Sequence, residues 1–181
     1  MKAIVLFKEG FEELEALSVV DVLRRAQMEC AMIGMDDLKV KSSHGIEVTM
    51  DQLFDQSVYD ADVVVIPGGL PGSTLLRDDE RVMHILKDFN EKNKWIAAIC
   101  AGPITLEQAG VIAGKKFTCS PGFEKQIPSG IHQDTLTYVD QNIITARGPA
   151  AALKFAYLIL EKMGQDSTNI SQAMQYPYLY K

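Results

Sequence analysis

A chain of 181 residues with 47% apolar and 23% charged side chains has the size and make-up of one domain that buries its own core, which excludes disordered, collagen-like and mucin-like classes. Its 18 basic and 24 acidic side chains leave a net charge of −6, so bulk electrostatics exclude a nucleic acid or an anionic membrane surface as a partner. No apolar run approaches the roughly 18 residues of a membrane span, and the short run near Met1 does not make a signal-peptide core, so a cytoplasmic location is expected.

The first run, Ala3-Ile4-Val5-Leu6-Phe7, is short, continuous and bounded by charge and Gly10, as a parallel strand buried on both faces requires. From about Glu12 to Arg25, Leu14, Leu17, Val20, Val22 and Leu23 fall mostly at helical spacing behind three carboxylates that suit a helix start. An apolar face of this helix near Val19, Val20 and Leu23 is expected to meet a second copy of the chain. Cys30 to Met35 reads as the second strand, and Val40 to Val48 as a hairpin turning at Ser43-His44-Gly45. Asp62-Val63-Val64-Val65-Ile66-Pro67 is the clearest buried strand; it ends in Gly68-Gly69, where the backbone turns without a Cβ clash, and a loop and a helix follow. Asp79 to Lys92 carries Val82, Ile85, Leu86 and Phe89 on one face. Trp95 to Cys100 is another buried strand, running into Ala101-Gly102-Pro103 and the abrupt start of a helix. Lys116 to Cys119 and Leu136 to Val139 have β character, Ile143 to Ala146 is a strand, Ala150 to Met163 is a helix, and a short helix closes the chain. This alternation, without repeat or linker, predicts an α/β doubly wound fold: one domain over 1–181 with a mostly parallel sheet between helices.

In open α/β sheets ligands gather beyond the carboxyl ends of the strands. Three features meet there: the acidic start of the first helix, the Gly68-Gly69 turn, and Cys100 at its strand-to-helix corner. A thiol at the first turn of a helix faces unpaired N–H groups and the positive end of the dipole, which predicts a pKa below the free value of about 8.5. The alternative is a small apolar residue closing a buried strand. Gly68-Gly69 and the N–H of Ala101 offer donors to an oxyanion, or a tight turn and nothing more. For Glu12, Glu13 and Glu15 the ordinary role is to offset the helix dipole; Glu15, followed by Ala16 and Leu17, has the further option of turning toward the sheet, where burial makes it a proton donor. No GxGxxG follows the first strand, and no GxxxxGK[ST], HxxxH or HExxH occurs, so neither a nucleotide nor a metal cofactor is expected. His44, His84 and His132 read as surface residues in a hairpin turn, an amphipathic helix and a polar loop. Cys30 and Cys119 lack metal or redox spacing and are assigned to packing, Cys119 being a minor redox candidate if its strand end is exposed.

Together, Ala97-Ala98-Ile99-Cys100-Ala101-Gly102-Pro103, Val64-Val65-Ile66-Pro67-Gly68-Gly69, Glu12-Glu13-Leu14-Glu15 and Thr145-Ala146-Arg147-Gly148-Pro149 resemble the ThiJ/PfpI superfamily, in order over nearly the whole chain. Within it they resemble the branch of the Parkinson disease protein deglycase (DJ-one) and its bacterial relatives. The resemblance implies a flavodoxin-like sandwich, a homodimer, and a cysteine in a strained nucleophile elbow beside a protonated glutamate, matching Cys100 and Glu15. It also implies an anion pocket from the backbone of Gly69 and Ala101. The implied chemistry needs no cofactor: glutathione-independent glyoxalase action on methylglyoxal, deglycation of early adducts on proteins and nucleotides, or redox-sensing and chaperone roles in which the cysteine becomes a sulfinate. Two departures stand out. The protease-like branch has a histidine directly after the nucleophile, where this chain has Ala101, so a Cys-His peptidase is not expected. The deglycase branch has Thr-Thr-His-Pro where this chain reads Thr118-Cys119-Ser120-Pro121, which puts Ser120 in the place of a proton-shuttling histidine and predicts slow glyoxalase turnover.

Overall fold

The computed structural model describes residues 1–180; Lys181, at the end of the expected domain, lies outside the described residues. The first half runs β1 (Lys2–Phe7), α1 (Glu13–Arg25), β2 (Glu29–Gly34), β3 (Lys39–Lys41), β4 (Glu47–Thr49), β5 (Gln52–Leu53), β6 (Val63–Ile66), α2 (Gly72–Arg77) and α3 (Glu80–Glu91). The second half runs β7 (Trp95–Ile99), α4 (Pro103–Gln108), β8 (Lys116–Phe117), β9 (Ile131–His132), β10 (Thr137–Asp140), β11 (Ile143–Ala146), α5 (Ala152–Lys162) and α6 (Thr168–Ala173). Seven strands form one sheet in the order β10-β11-β7-β6-β1-β2-β5. Its pairs are parallel except at one edge, where β10 runs antiparallel to β11 with Thr137 opposite Ala146. Without that edge and the two-residue β5, the spatial order β2-β1-β6-β7-β11 is the second, first, third, fourth and fifth strand in sequence, the flavodoxin-like arrangement whose ligands sit where the order reverses.

The strands are apolar without a break because both faces of the sheet are covered. Alternate residues divide between two cores: Val5, Val63, Val65, Ala97 and Ile144 pack with α1 and α5, whereas Ile4, Val64, Ile66, Ile96 and Ala98 pack with α3 and α4 on the other side. Polar side chains mark the helix starts. Glu12 caps α1 by accepting the Glu15 N–H at 2.8 Å, and Asp79 caps α3 by accepting the Arg81 N–H at 2.9 Å. Asp79 also bridges Lys8 at 3.0 Å and Arg81 at 2.6 Å; despite its burial, these bonds to cations hold its carboxyl down at about 2. They tie the carboxyl end of β1 to α3.

Two expectations need correction. The strand expected over Lys116 to Cys119 stops at Phe117 and lies outside the main sheet, pairing with β9, which includes His132, because β10 already occupies the free edge of β11. Val19, Val20 and Leu23 are buried against α5 and the sheet within the same chain, so they are not available to a second copy. Apolar α1 surface is instead exposed at Leu14. Among the described residues, no helix is long and apolar enough to cross a membrane.

Candidate active site

Cys100 follows the last residue of β7 in the left-handed region, φ +64°, a conformation that costs a residue with a Cβ of order 1 kcal/mol or more unless its surroundings hold it there. They do: the Cys100 N–H donates to the Ala146 carbonyl at 2.9 Å, and its own carbonyl accepts the Ser120 N–H at 3.0 Å. The corner is a strand-to-helix elbow that turns the sulfur out over the carboxyl ends of β1, β6 and β7.

Gly68, just past β6, lies between the thiol and the first helix. A Cβ there would stand 2.4 Å from Glu15 Oε2, 2.6 Å from Cys100 Cβ and 3.1 Å from its sulfur, so the contact between acid and thiol exists only because this residue has no side chain. The Gly68 N–H donates to Glu15 Oε2 at 2.8 Å, while its carbonyl accepts the Glu12 N–H at 2.9 Å. Gly69 follows with φ +89°, and its N–H has no partner among the described residues. The Ala101 N–H follows the thiol directly in sequence and favours its ionised form, and an ideal Cβ at Gly148 would lie 4.0 Å from the Cys100 sulfur, so Gly148 forms another wall.

Glu15 is fully buried, and its Oε1 has no hydrogen-bond partner of good geometry. Burial is the main reason its carboxyl is pushed up to about 7; the Glu12 charge adds to this, and the Cys100 thiol and Gly68 N–H oppose it. Cys100 was expected below its ordinary range, and the structure reverses that expectation. Burial, followed by the charge of the Glu15 carboxylate, pushes the thiol up to about 12, and the Ser120 hydroxyl and Ala101 N–H offset only part of this. Cys100 stands two residues before the Gly102 N-cap of the six-residue helix α4, outside the first turn in which a helix dipole acts. Ionisation of the sulfur therefore depends on Glu15: once that carboxyl takes a proton, the repulsion is gone and an acceptor has become a donor.

Glu15, Gly68, Cys100, Ala101 and Ser120 thus stand in one contact set with Gly69 beside it, at the β1/β6 reversal of strand order. The other cysteines are outside it. Cys30 and Cys119 are buried and pushed up to about 12 by burial, which fits packing for both and removes Cys119 as a redox candidate. His84 and His132 are on the surface as expected. His44 is exposed too, but not unattached: its Nδ1 lies 2.9 Å from Glu13 Oε1, an ion pair that the spacing of these residues in sequence did not announce. Ligating atoms of Glu12, Glu13 and His44 lie within 4.8 Å of one another, and that ion pair with the Glu12 cap bond accounts for the cluster.

Compared with known families, residues 1–162 match the DJ-1/PfpI family. Protein DJ-1 homolog B of Arabidopsis thaliana is 35% identical over 162 residues, 88% of this chain and 37% of that protein, so the chain spans little more than a third of that relative. Glutathione-independent glyoxalase DJR-1.2 of Caenorhabditis elegans is 31% identical over 170 residues, 92% of this chain and 90% of that one. The crystal structure of Drosophila melanogaster DJ-1beta superposes with a TM-score of 0.92 at 33% identity, covering 97% of this chain and 98% of its own.

Proposed function

The chain belongs to the DJ-1/PfpI family, and on that premise we propose that it is a cofactor-free enzyme that converts a reactive 2-oxoaldehyde such as methylglyoxal to the 2-hydroxy acid without glutathione. The observation that carries this reading is the buried Glu15 carboxyl, with one oxygen unpartnered, directly across Gly68 from an elbow thiol. A carboxyl pushed up to about 7 is matched to proton transfer at neutral pH.

In this mechanism the Cys100 sulfur attacks the aldehyde carbon while Glu15 accepts the thiol proton. The carbonyl π electrons move to oxygen, and the N–H groups of Gly69 and Ala101 are the donors for that charge. Protonation gives a hemithioacetal. Removal of the hydrogen from the same carbon and return of a proton to the neighbouring carbonyl carbon oxidise the first and reduce the second, leaving a thioester of the hydroxy acid. Water releases the acid and restores the thiol. On an early glycation adduct, whose former aldehyde carbon carries a hydroxyl and the amine or thiol, the Cys100 sulfur would displace that amine or thiol. The new C–S bond forms as the old bond breaks and the leaving group takes the proton that Glu15 accepted, to give the same hemithioacetal, the deglycase version of the reaction. Purified protein given methylglyoxal with no added thiol should form one lactate for each methylglyoxal lost; loss without lactate would refute the isomerase chemistry.

Ser120 favours a second reading. A neutral hydroxyl beside the thiol supplies no second titrating group for turnover, which suits a redox sensor whose cysteine takes two oxygens from peroxide to become a sulfinate. Selective gain of two oxygens at Cys100, by intact mass and peptide mapping, with no lactate formed, supports the sensor over the enzyme.

The reading includes a homodimer and, given three free cysteines, a reducing cytoplasmic location. Leu14 is 59% exposed and Leu179 69%, and a surface depression between them is lined by Ala150 and Leu153. Leu14→Glu should convert dimer to monomer by light scattering after size exclusion. An unchanged mass would place the interface elsewhere.

A further inference from the structure

Ser120 reaches the site on a segment that belongs to no strand: β8 ends at Phe117, and residues 118–120 cross the carboxyl ends of β7 and β11. Two buried threonines hold that segment. The Thr118 N–H donates to Thr145 Oγ1 at 2.9 Å, and the Thr118 hydroxyl donates to the Thr135 carbonyl at 2.7 Å. Both threonines have no exposed surface. A buried N–H without an acceptor is costly, so the Thr145 oxygen fixes where the chain passes. Two residues further on, the Ser120 N–H is bonded to the Cys100 carbonyl, and the Cys100 N–H is bonded to the Ala146 carbonyl, one residue after Thr145. The end of β11 therefore holds both partners, one through a carbonyl and the other through a hydroxyl.

We propose that Thr145 is a positioning residue for the thiol: its Oγ1, acting through the Thr118 N–H, sets the Ser120 hydroxyl against the Cys100 sulfur and so tunes the sulfur's reactivity without touching substrate. The consequence for turnover rests on the enzymatic reading above; the consequence for the thiol does not. Glu15, from α1, is the charged group that faces the same sulfur, and it is left unchanged in every variant of the test.

The test measures the rate of Cys100 carboxamidomethylation by iodoacetamide across pH 6 to 10, with the site confirmed by peptide mapping. It compares wild type, Ser120→Ala, Thr145→Val, Thr145→Ser and the Ser120→Ala/Thr145→Val double variant. Ser120→Ala and Thr145→Val should each slow the reaction several-fold and displace the profile to higher pH. Thr145→Ser, which keeps the acceptor, should restore the wild-type profile. The double variant should be no slower than Ser120→Ala alone, because both changes act through one hydroxyl. If the valine variant does not fold, Thr145→Ala, which leaves room for a water on the Thr118 N–H, takes its place. A Thr145 that only supports the fold would lower the melting temperature and leave the alkylation profile where it was. That result, or multiplied effects in the double variant, overturns the proposal. Methylglyoxal loss is followed in parallel: no turnover by the wild type would overturn the enzymatic reading and leave the thiol comparison standing.

Discussion

Cys100→Ser is expected to bring methylglyoxal consumption down to background, a loss of at least about 10³-fold, with the melting temperature little changed. The substitution keeps the size of the side chain and its place in the elbow, so the backbone bonds from Cys100 to Ala146 and Ser120 survive. What it removes is a nucleophile whose proton a carboxyl of pKa about 7 is able to accept. A serine hydroxyl is far less acidic than a thiol, and the same burial that raises the thiol disfavours an alkoxide still more. Cys30→Ser is the control: Cys30 is buried at the start of β2 and is outside the contact set around Cys100, so its change should not touch turnover in the folded protein. Retained activity in Cys100→Ser, measured by lactate formation, would remove the nucleophile from the account.

Glu15→Gln is expected to act in opposite directions on activity and on stability. Turnover should fall by about 10² to 10⁴-fold, the usual worth of a positioned acid or base, because an amide neither takes the thiol proton nor returns it. Stability above neutral pH should rise. The folded-state carboxyl at about 7 lies above its unfolded value of 4.5, so the fold favours the protonated form. Its stabilising effect is complete below the unfolded value and is lost as pH rises through about 7, where the native state must hold a buried charge. A displacement of that size corresponds to about 3 kcal/mol. The glutamine variant cannot charge, and at pH 8 it should resist urea better than wild type by about 1–3 kcal/mol, the difference shrinking toward pH 5. Equal urea midpoints at both pH values would mean that Glu15 is not held neutral by its burial.

The strands were legible because a parallel strand covered on both faces has to be apolar at every position, as Val63 to Ile66 are. Cys100 was legible as a corner, since a strand running into Ala101-Gly102-Pro103 leaves no other place for it. Its ionisation was not, because dipole and burial oppose each other and only the packing decides between them. Glu15 was hidden among three carboxylates of like sequence context. In the structure Glu12 caps the helix, Glu13 pairs with His44, and Glu15 turns inward. The signal was helical phase: Glu15 is spaced four and eight residues from Val19 and Leu23, which are buried, and unlike Glu12, which stands at the N-cap, it lies within the helix on that stripe. Ser120 was indicated only by resemblance. The threonines that hold its segment left no mark in the sequence, because their bonds join residues 27 and 17 positions apart.

In the proposed mechanism one proton is shared between the Glu15 carboxyl and the Cys100 sulfur, and that sharing is read from the pH profile of Cys100 alkylation in wild type and Glu15→Gln. In a coupled pair the thiolate population rises tenfold per pH unit only until the first proton leaves, and then levels off until the second does. The wild-type logarithmic rate should therefore climb to about pH 7 and bend to a plateau, while the glutamine variant continues to climb through the same range. Two profiles of the same shape, both rising straight through pH 7, would contradict the account.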